Sequence, residues 1–160
     1  MNVLITGAFG FVGTNLSVSL HNSGYSKLIA LDLIEPENHV YNSFFRWSEI
    51  EHLTNVNVDA IVHLAGKAHD TKNTTEEKEY FDINFGLTKQ VFDFFLKSSA
   101  KKFIFFSSVK AVADKVLGEQ LTEDVLPNPQ TAYGKSKLSA ENYIMSEKLP
   151  DYKKVYVLRP

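Results

Sequence analysis

The apolar residues of this chain follow two patterns that alternate from one end to the other. Short apolar runs rich in β-branched and aromatic residues predict buried strands over 3–5, 27–32, 59–64, 101–108 and 155–158, with an edge strand over 43–47. Apolar residues spaced by three or four predict helices over 11–22, 48–53, 75–98 and 132–148, the last three capped by Ser48, Thr75 and Thr131. The alternation favours an α/β fold, with a doubly wound, mostly parallel sheet in one domain over 1–160.

Three glycines, Gly7, Gly10 and Gly13, separate the first strand from the first helix. A turn of this kind points backbone N–H groups and the positive helix end at a phosphate, and glycine lets a diphosphate approach the backbone. The alternative is a turn that needs glycine only for packing. Asp32 ends the next strand about twenty residues later, where a carboxylate can bind an adenosine ribose and repel the extra phosphate of NADP. Its alternative is a loop cap, but the combination favours an NAD site.

Tyr133 and Lys137 lie four residues apart on a predicted helix, so their side chains point the same way. A lysine ammonium and a helix N-terminus both favour the phenolate form of a nearby tyrosine. Such a tyrosine can remove the proton of a secondary alcohol while a nicotinamide takes the hydride. Ser108 ends a predicted strand and can hold the same oxygen. The alternative is a surface helix and ordinary polar residues at a strand end, and only the position of the pair in the chain favours catalysis.

The composition of the chain argues against several other classes of function. The net charge is −2 and cysteine is absent, which argues against nucleic-acid or acidic-membrane binding and removes thiol chemistry. The apolar runs are far shorter than a membrane span and a strand begins at Asn2, so we expect a cytoplasmic protein. His63 is interpreted as a core or strand-end residue and His69 as a solvated loop residue, and no metal site is predicted. Asn84 interrupts an apolar helical stripe and needs partners, for which a neighbouring strand is the simplest candidate.

Short segments over the whole chain resemble motifs of the extended short-chain dehydrogenase/reductase family, especially its nucleotide-sugar epimerases and dehydratases. The segments are Thr6–Gly13, Asp32, His63–Gly66, Asn84–Thr88, Phe106–Ser108, Tyr133–Lys137 and Leu158–Pro160. The resemblance implies a Rossmann-type domain that binds NAD and a nucleotide-sugar substrate. In such epimerases a sugar C4 hydroxyl is oxidised, the keto sugar turns over and the hydride returns to the other face.

The resemblance also implies a role for each matching residue. Tyr133 is the expected base and acid, Lys137 binds the nicotinamide ribose and tunes Tyr133, and Ser108 polarises the substrate oxygen. The expected cofactor-binding residues are Gly7, Phe9, Gly10, Phe11, Val12, Gly13, Asp32, Leu64, Ala65, Gly66, Lys67, Asn84, Tyr133 and Lys137.

The chain departs from the family pattern in three places. Arg46-Trp47-Ser48 stands where an acidic residue commonly contacts adenine, and Val109 to Ala113 lacks the usual Tyr-Gly. Family members continue beyond Arg-Pro into a substrate domain, which is expected to be absent from this chain together with most of the nucleotide-sugar site. The helices over 75–98 and 132–148 are candidates for a homodimer interface. Two other functions stay open: a non-catalytic dinucleotide sensor and an NAD-dependent reductase of a non-sugar ketone.

Overall fold

The computed structural model describes residues 1–24, 27–68, 76–116 and 119–160. Its strands form a six-stranded sheet in the order β3-β2-β1-β4-β5-β6. The strands are β1 (Asn2–Thr6), β2 (Lys27–Asp32), β3 (Ser43–Arg46), β4 (Ala60–His63), β5 (Lys102–Phe106) and β6 (Lys154–Leu158). The pairs β1–β2, β1–β4, β2–β3 and β4–β5 are parallel, and the order reverses direction between β1 and β4. The predicted doubly wound parallel sheet is therefore confirmed.

The helices agree with the sequence pattern at α1 (Phe11–Asn22) and α4 (Ala132–Ser146), where Thr131 is the cap as predicted. The helix expected over 75–98 is instead α2 (Glu77–Tyr80), a π-helical segment (Phe81–Leu87) and α3 (Thr88–Lys97). Its proposed cap Thr75, like His69, lies outside the described residues.

The short helix predicted over 48–53 is present as a 3₁₀ helix over Trp47–Asn55. Its predicted cap was wrong, because Arg46 and not Ser48 is the N-cap, and the backbone N–H of Arg46 donates to Glu49 Oε2 at 2.8 Å. A second 3₁₀ turn, which the sequence pattern does not predict, spans Val109–Ala111.

The chain divides into two compact units. The first contains Met1–Ala65, Val91–Phe105 and Leu149–Tyr156, and the second contains Gly66–Gln90, Phe106–Lys148 and Val157–Pro160. The core of the first unit joins the apolar central strands to an aromatic cluster in which the Phe92 and Phe103 rings meet edge to face at 5.0 Å. The second unit carries α4 and the segments packed against it.

Candidate active site

The glycine turn of the first unit is held by packing at two of its three glycines. Gly7 has a φ of +63°, and a Cβ there would lie 2.8 Å from Ala65 N. A Cβ at Gly13 would lie 2.4 Å from Gly7 O. Both approaches are shorter than side chains tolerate, so these two positions require glycine whether or not a ligand binds.

Gly10 differs from Gly7 and Gly13 because packing constrains it less. It is exposed, and a Cβ there would meet only Gly7 O, at 3.3 Å. It is the N-cap of α1 and is followed by exposed Phe11 and Val12. The N–H groups in the first turn of a helix have no partner within that helix, and an open glycine in front of them suits a bound diphosphate.

Asp32 lies beside this turn and is half-buried. Its Oδ2 accepts a hydrogen bond from Phe9 N at 2.9 Å, and its Oδ1 accepts one from Leu33 N at 2.7 Å. A carboxylate has about four acceptor sites, so both oxygens can still accept from a ribose hydroxyl. Asp32, the residue predicted to bind the ribose, is therefore hydrogen-bonded to the glycine turn that is predicted to bind the diphosphate.

Sequence reasoning missed Tyr41, which supports the same turn. The Tyr41 hydroxyl donates to Ala8 O at 2.9 Å and approaches Gly13 O at 3.3 Å, and burial raises the pKa of this phenol. Its ring meets the half-buried Phe9 ring edge to face at 5.4 Å. Because Tyr41 lies between two predicted strands, in a segment without helical or strand spacing, no sequence pattern indicated this contact.

The end of β4 adds a buried polar pair to the first unit. His63 is fully buried, its Nδ1 lies 2.6 Å from Thr6 Oγ1, and its ring stacks on Phe105 at 5.7 Å. The interpretation of His63 as a core residue is confirmed. Leu64 and Ala65 follow, half-buried and buried, and Ala65 N donates to Thr6 Oγ1 at 3.2 Å.

Asn84 is the central polar side chain of the second unit. It is fully buried in the π-helical segment. Its Oδ1 accepts from Lys67 N at 2.8 Å, while Nδ2 donates to Lys67 O at 3.2 Å and to Ser136 Oγ on α4 at 3.1 Å. The expected partner was a strand, but the amide instead joins the loop after Gly66 to α4. The Lys67 ammonium itself pairs with Glu79 at 2.8 Å.

Lys137 is a buried lysine, only 5% exposed, whose ammonium donates to Phe106 O at 3.0 Å. Burial lowers its pKa to about 8, and the nearby charge of Glu141 opposes that change. A Cβ at exposed Gly66 would lie 3.2 Å from Lys137 Nζ and 2.8 Å from Asn84 Oδ1. Glycine therefore keeps a space open next to the ammonium and the amide.

Tyr133 lies in the first turn of α4, one turn before Lys137, and is half-buried. Its ring meets Tyr80 edge to face at 6.1 Å. Thr131 Oγ1 accepts from Gly134 N at 3.2 Å and donates to Asp114 Oδ1 at 3.0 Å, which fixes where α4 begins. Asp114 is a second residue that the sequence pattern did not indicate.

Ser108 is buried and its Oγ accepts from Lys110 N at 3.2 Å, so it caps the short 3₁₀ turn. The hydroxyl of Ser107 points elsewhere and donates to Glu141. Within the four described ranges, no cluster of metal-binding side chains occurs and no helix is long and apolar enough to cross a membrane.

Comparisons with known proteins identify the family of the chain. A model of the NAD dependent epimerase/dehydratase family matches residues 3–151. The chain belongs to this family. It is 29% identical to UDP-glucose 4-epimerase of Vibrio cholerae over 173 residues, covering 99% of this chain and 51% of that protein. It is 28% identical to D-erythronate dehydrogenase of Haemophilus influenzae over 152 residues, covering 88% of this chain and 48% of that protein.

Solved structures similar to this chain support the Rossmann-type fold. MoeE5 in complex with UDP-glucose and NAD matches with a TM-score of 0.80 and 25% identity, over 98% of this chain and 52% of that chain. The chain therefore spans about half the length of the proteins that it matches.

Proposed function

We propose that the chain is the cofactor-binding and catalytic half of an NAD-dependent nucleotide-sugar epimerase or dehydratase, with the sugar nucleotide bound largely by the half of the relatives that the chain does not match. The observation that carries the proposal is the buried ammonium of Lys137, which lies beside the space at Gly66 and one helical turn from Tyr133. A buried lysine is costly, and burial that shifts its pKa is typical of functional sites.

Each unit, taken by itself, has residues that suit one part of NAD. In the first unit, open Gly10 and the N-terminus of α1 with Phe11, Val12 and Gly13 would hold the diphosphate, and Asp32 the adenosine ribose. Leu64 and Ala65 follow β4, as expected for residues that line a dinucleotide. In the second unit, Gly66, the Lys67 backbone and Asn84 would line the nicotinamide half, and Lys137 would bind its ribose. Bound NAD supplies the hydride acceptor.

Three side chains of this chain would have separate roles in the proton transfer. Tyr133 would accept the proton of the sugar hydroxyl and later return it. The ammonium of Lys137 would stabilise the phenolate form of Tyr133, which is the form that can accept this proton. The Ser108 hydroxyl, two residues after the end of β5, would orient the substrate oxygen.

An assay of the full-length protein tests this function. With NAD and either UDP-glucose or UDP-glucuronic acid, we expect the C4 epimer or a dehydrated sugar by NMR, without net formation of NADH, because the hydride returns to the sugar. NAD binding without turnover of any sugar nucleotide would favour a non-catalytic sensor and contradict the proposal.

Cofactor choice tests the role of Asp32. Calorimetry of the full-length protein should show tighter binding of NAD than of NADP, because the carboxylate binds the ribose and repels the additional phosphate. Asp32→Asn should reduce the preference, while Asp59→Asn, a carboxylate change remote from the glycine turn in sequence, should leave it unchanged. A preference for NADP would overturn the assignment.

A second candidate is an NAD-dependent dehydrogenase of a substrate without a nucleotide, which the match to D-erythronate dehydrogenase favours. The same assay with D-erythronate in place of the nucleotide sugar separates the two functions. A dehydrogenase would then accumulate NADH in proportion to the substrate consumed, whereas an epimerase would act on the nucleotide sugar and recycle its cofactor.

A further inference from the structure

Glu141 is a buried carboxylate on α4 for which the proposed proton chemistry gives no role. It is 4% exposed and lies one helical turn after Lys137. Burial of a carboxylate is expensive unless its charge is paired and both oxygens are hydrogen-bonded. The contacts of Glu141 meet both requirements.

Arg159 fixes the position of the Glu141 carboxylate. Its Nε donates to Oε1 at 3.0 Å and its Nη2 donates to Oε2 at 2.6 Å, a two-pronged arrangement that sets orientation as well as distance. The hydrogen bond that Arg159 donates to Glu141 raises the pKa of Arg159, so the guanidinium stays charged. Glu141 therefore has one defined orientation inside the second unit.

The same carboxylate reaches the end of β5. The hydroxyl of Ser107 donates to Glu141 Oε1. Ser107 lies between Phe106, whose carbonyl receives the Lys137 ammonium, and Ser108. Glu141 thus contacts the middle residue of the segment that binds Lys137 and presents Ser108.

The other charged groups on the elements packed against α4 form ion pairs or lie at the surface. Lys78 pairs with Asp82, Glu79 pairs with Lys67 at 2.8 Å, and Lys110 lies 3.8 Å from Asp114. On these elements and on α4, Glu77 and Lys135 are exposed. Glu141 is the charge that raises the pKa of Lys137 against the effect of burial.

We propose that Glu141 is a positioning residue of the active site: held by Arg159, its carboxylate fixes the Phe106–Ser108 segment and balances the buried charge of Lys137. The proposal rests on the proposed function only in the use that the reaction makes of Lys137 and Ser108. The electrostatic part can be measured in the absence of any reaction.

The direct test is Glu141→Gln in the full-length protein. Glutamine keeps the size of the side chain and an acceptor for Ser107, but removes the charge. The titration midpoint of Lys137, followed by NMR of ¹³Cε-labelled lysine and assigned by its absence in Lys137→Met, should fall by about one pH unit, as expected when one opposite charge close by is lost. The matched control is Glu123→Gln, an exposed carboxylate that also acts on Arg159, which should not move the midpoint. An unchanged midpoint in Glu141→Gln would overturn the proposal.

Arg159→Met gives a second test with the opposite sign and does not depend on the folding of the glutamine variant. Without the guanidinium, the Glu141 charge acts on Lys137 without a competing cation, so the midpoint should rise. A fall or no change would contradict the proposal.

The pH dependence of turnover links the titration to the reaction. In Glu141→Gln the alkaline limb of the kcat profile should move to lower pH by the same interval, and Glu141→Asp should restore it in part. A purely structural role would lower kcat at every pH and leave the limb in place, which would contradict the proposal. Absence of turnover in the wild-type protein would disprove the proposed function, while the NMR titration would still decide the role of Glu141.

Discussion

At the scale of single residues, the position of Lys137 on α4 could be predicted from the sequence, but its burial could not. The four-residue interval to Tyr133 is visible in the sequence and correctly places both residues on α4. Its burial and its bond to Phe106 O depend on how α4 packs within the second unit, which no local pattern encodes. Glu141 and Tyr41 were missed for the same reason, because their partners are distant in sequence.

Burial of the Lys137 ammonium is expected to lower the free energy of unfolding of the protein. Its pKa of about 8 in the fold lies below its ordinary value of 10.5, so burial costs about 3 kcal/mol below pH 8, and the cost is relieved as the pH rises from 8 to 10.5. Lys137→Met should raise the free energy of unfolding by about 2 kcal/mol at pH 7, since the lost bond to Phe106 O offsets about 1 kcal/mol.

Chemical denaturation of the full-length protein between pH 7 and 10.5 measures this effect. In the wild type, Lys137 contributes a rise in the free energy of unfolding through that interval, which Lys137→Met should lack. The control is Lys135→Met, an exposed lysine on the same helix. If Lys137→Met were less stable than Lys135→Met at pH 7, the cost of burial would be disproved.

At the scale of elements, local signals predicted α1 and α4 and failed where packing determines the backbone. Thr131 caps α4 as its position indicated. The π-helical segment was not predicted, because a widened turn changes the spacing of apolar residues too little to be distinguished from an α-helix in the sequence. There Thr88 Oγ1 donates to Asn84 O at 2.6 Å, and Asn84 binds the loop at Lys67. The irregular turn thus coincides with a candidate site residue.

The start of α4 should tolerate no side chain at Gly134. A Cβ there would lie 2.3 Å from Lys110 O and 2.8 Å from Pro129 Cβ, so Gly134→Ala should lower the free energy of unfolding by about 1–3 kcal/mol. Because the clash displaces the turn that carries Tyr133, turnover should fall too.

Gly86→Ala is the matched control for this change, since its Cβ would meet only Phe81 O at 3.8 Å. It should be neutral or stabilise the protein by up to about 1 kcal/mol, because alanine favours helices over glycine. Thermal and chemical denaturation of both variants measure the difference, and equal stability would contradict the packing described at Gly134.

At the scale of the whole molecule, alternation of strands and helices was enough to predict the class of fold and the parallel sheet. The strand order of β3-β2-β1-β4-β5-β6 and the division into two compact units could not be read from the pattern, because both depend on contacts distant in sequence. Family membership rests on residues 3–151, while the chain spans about half of its relatives. The chemistry proposed for the complete protein therefore depends on the side chains that this half contributes, above all Tyr133.

The most direct measurement of the central claim is turnover and NAD affinity of the full-length protein carrying Tyr133→Phe. Removing the hydroxyl removes the proposed proton acceptor, so kcat should fall at least about a hundredfold while the Kd for NAD changes by less than about threefold. Tyr143→Phe, on the same helix, should retain wild-type turnover. A Tyr133→Phe protein that turns over nucleotide sugar at the wild-type rate would show that the phenol is not the catalytic base.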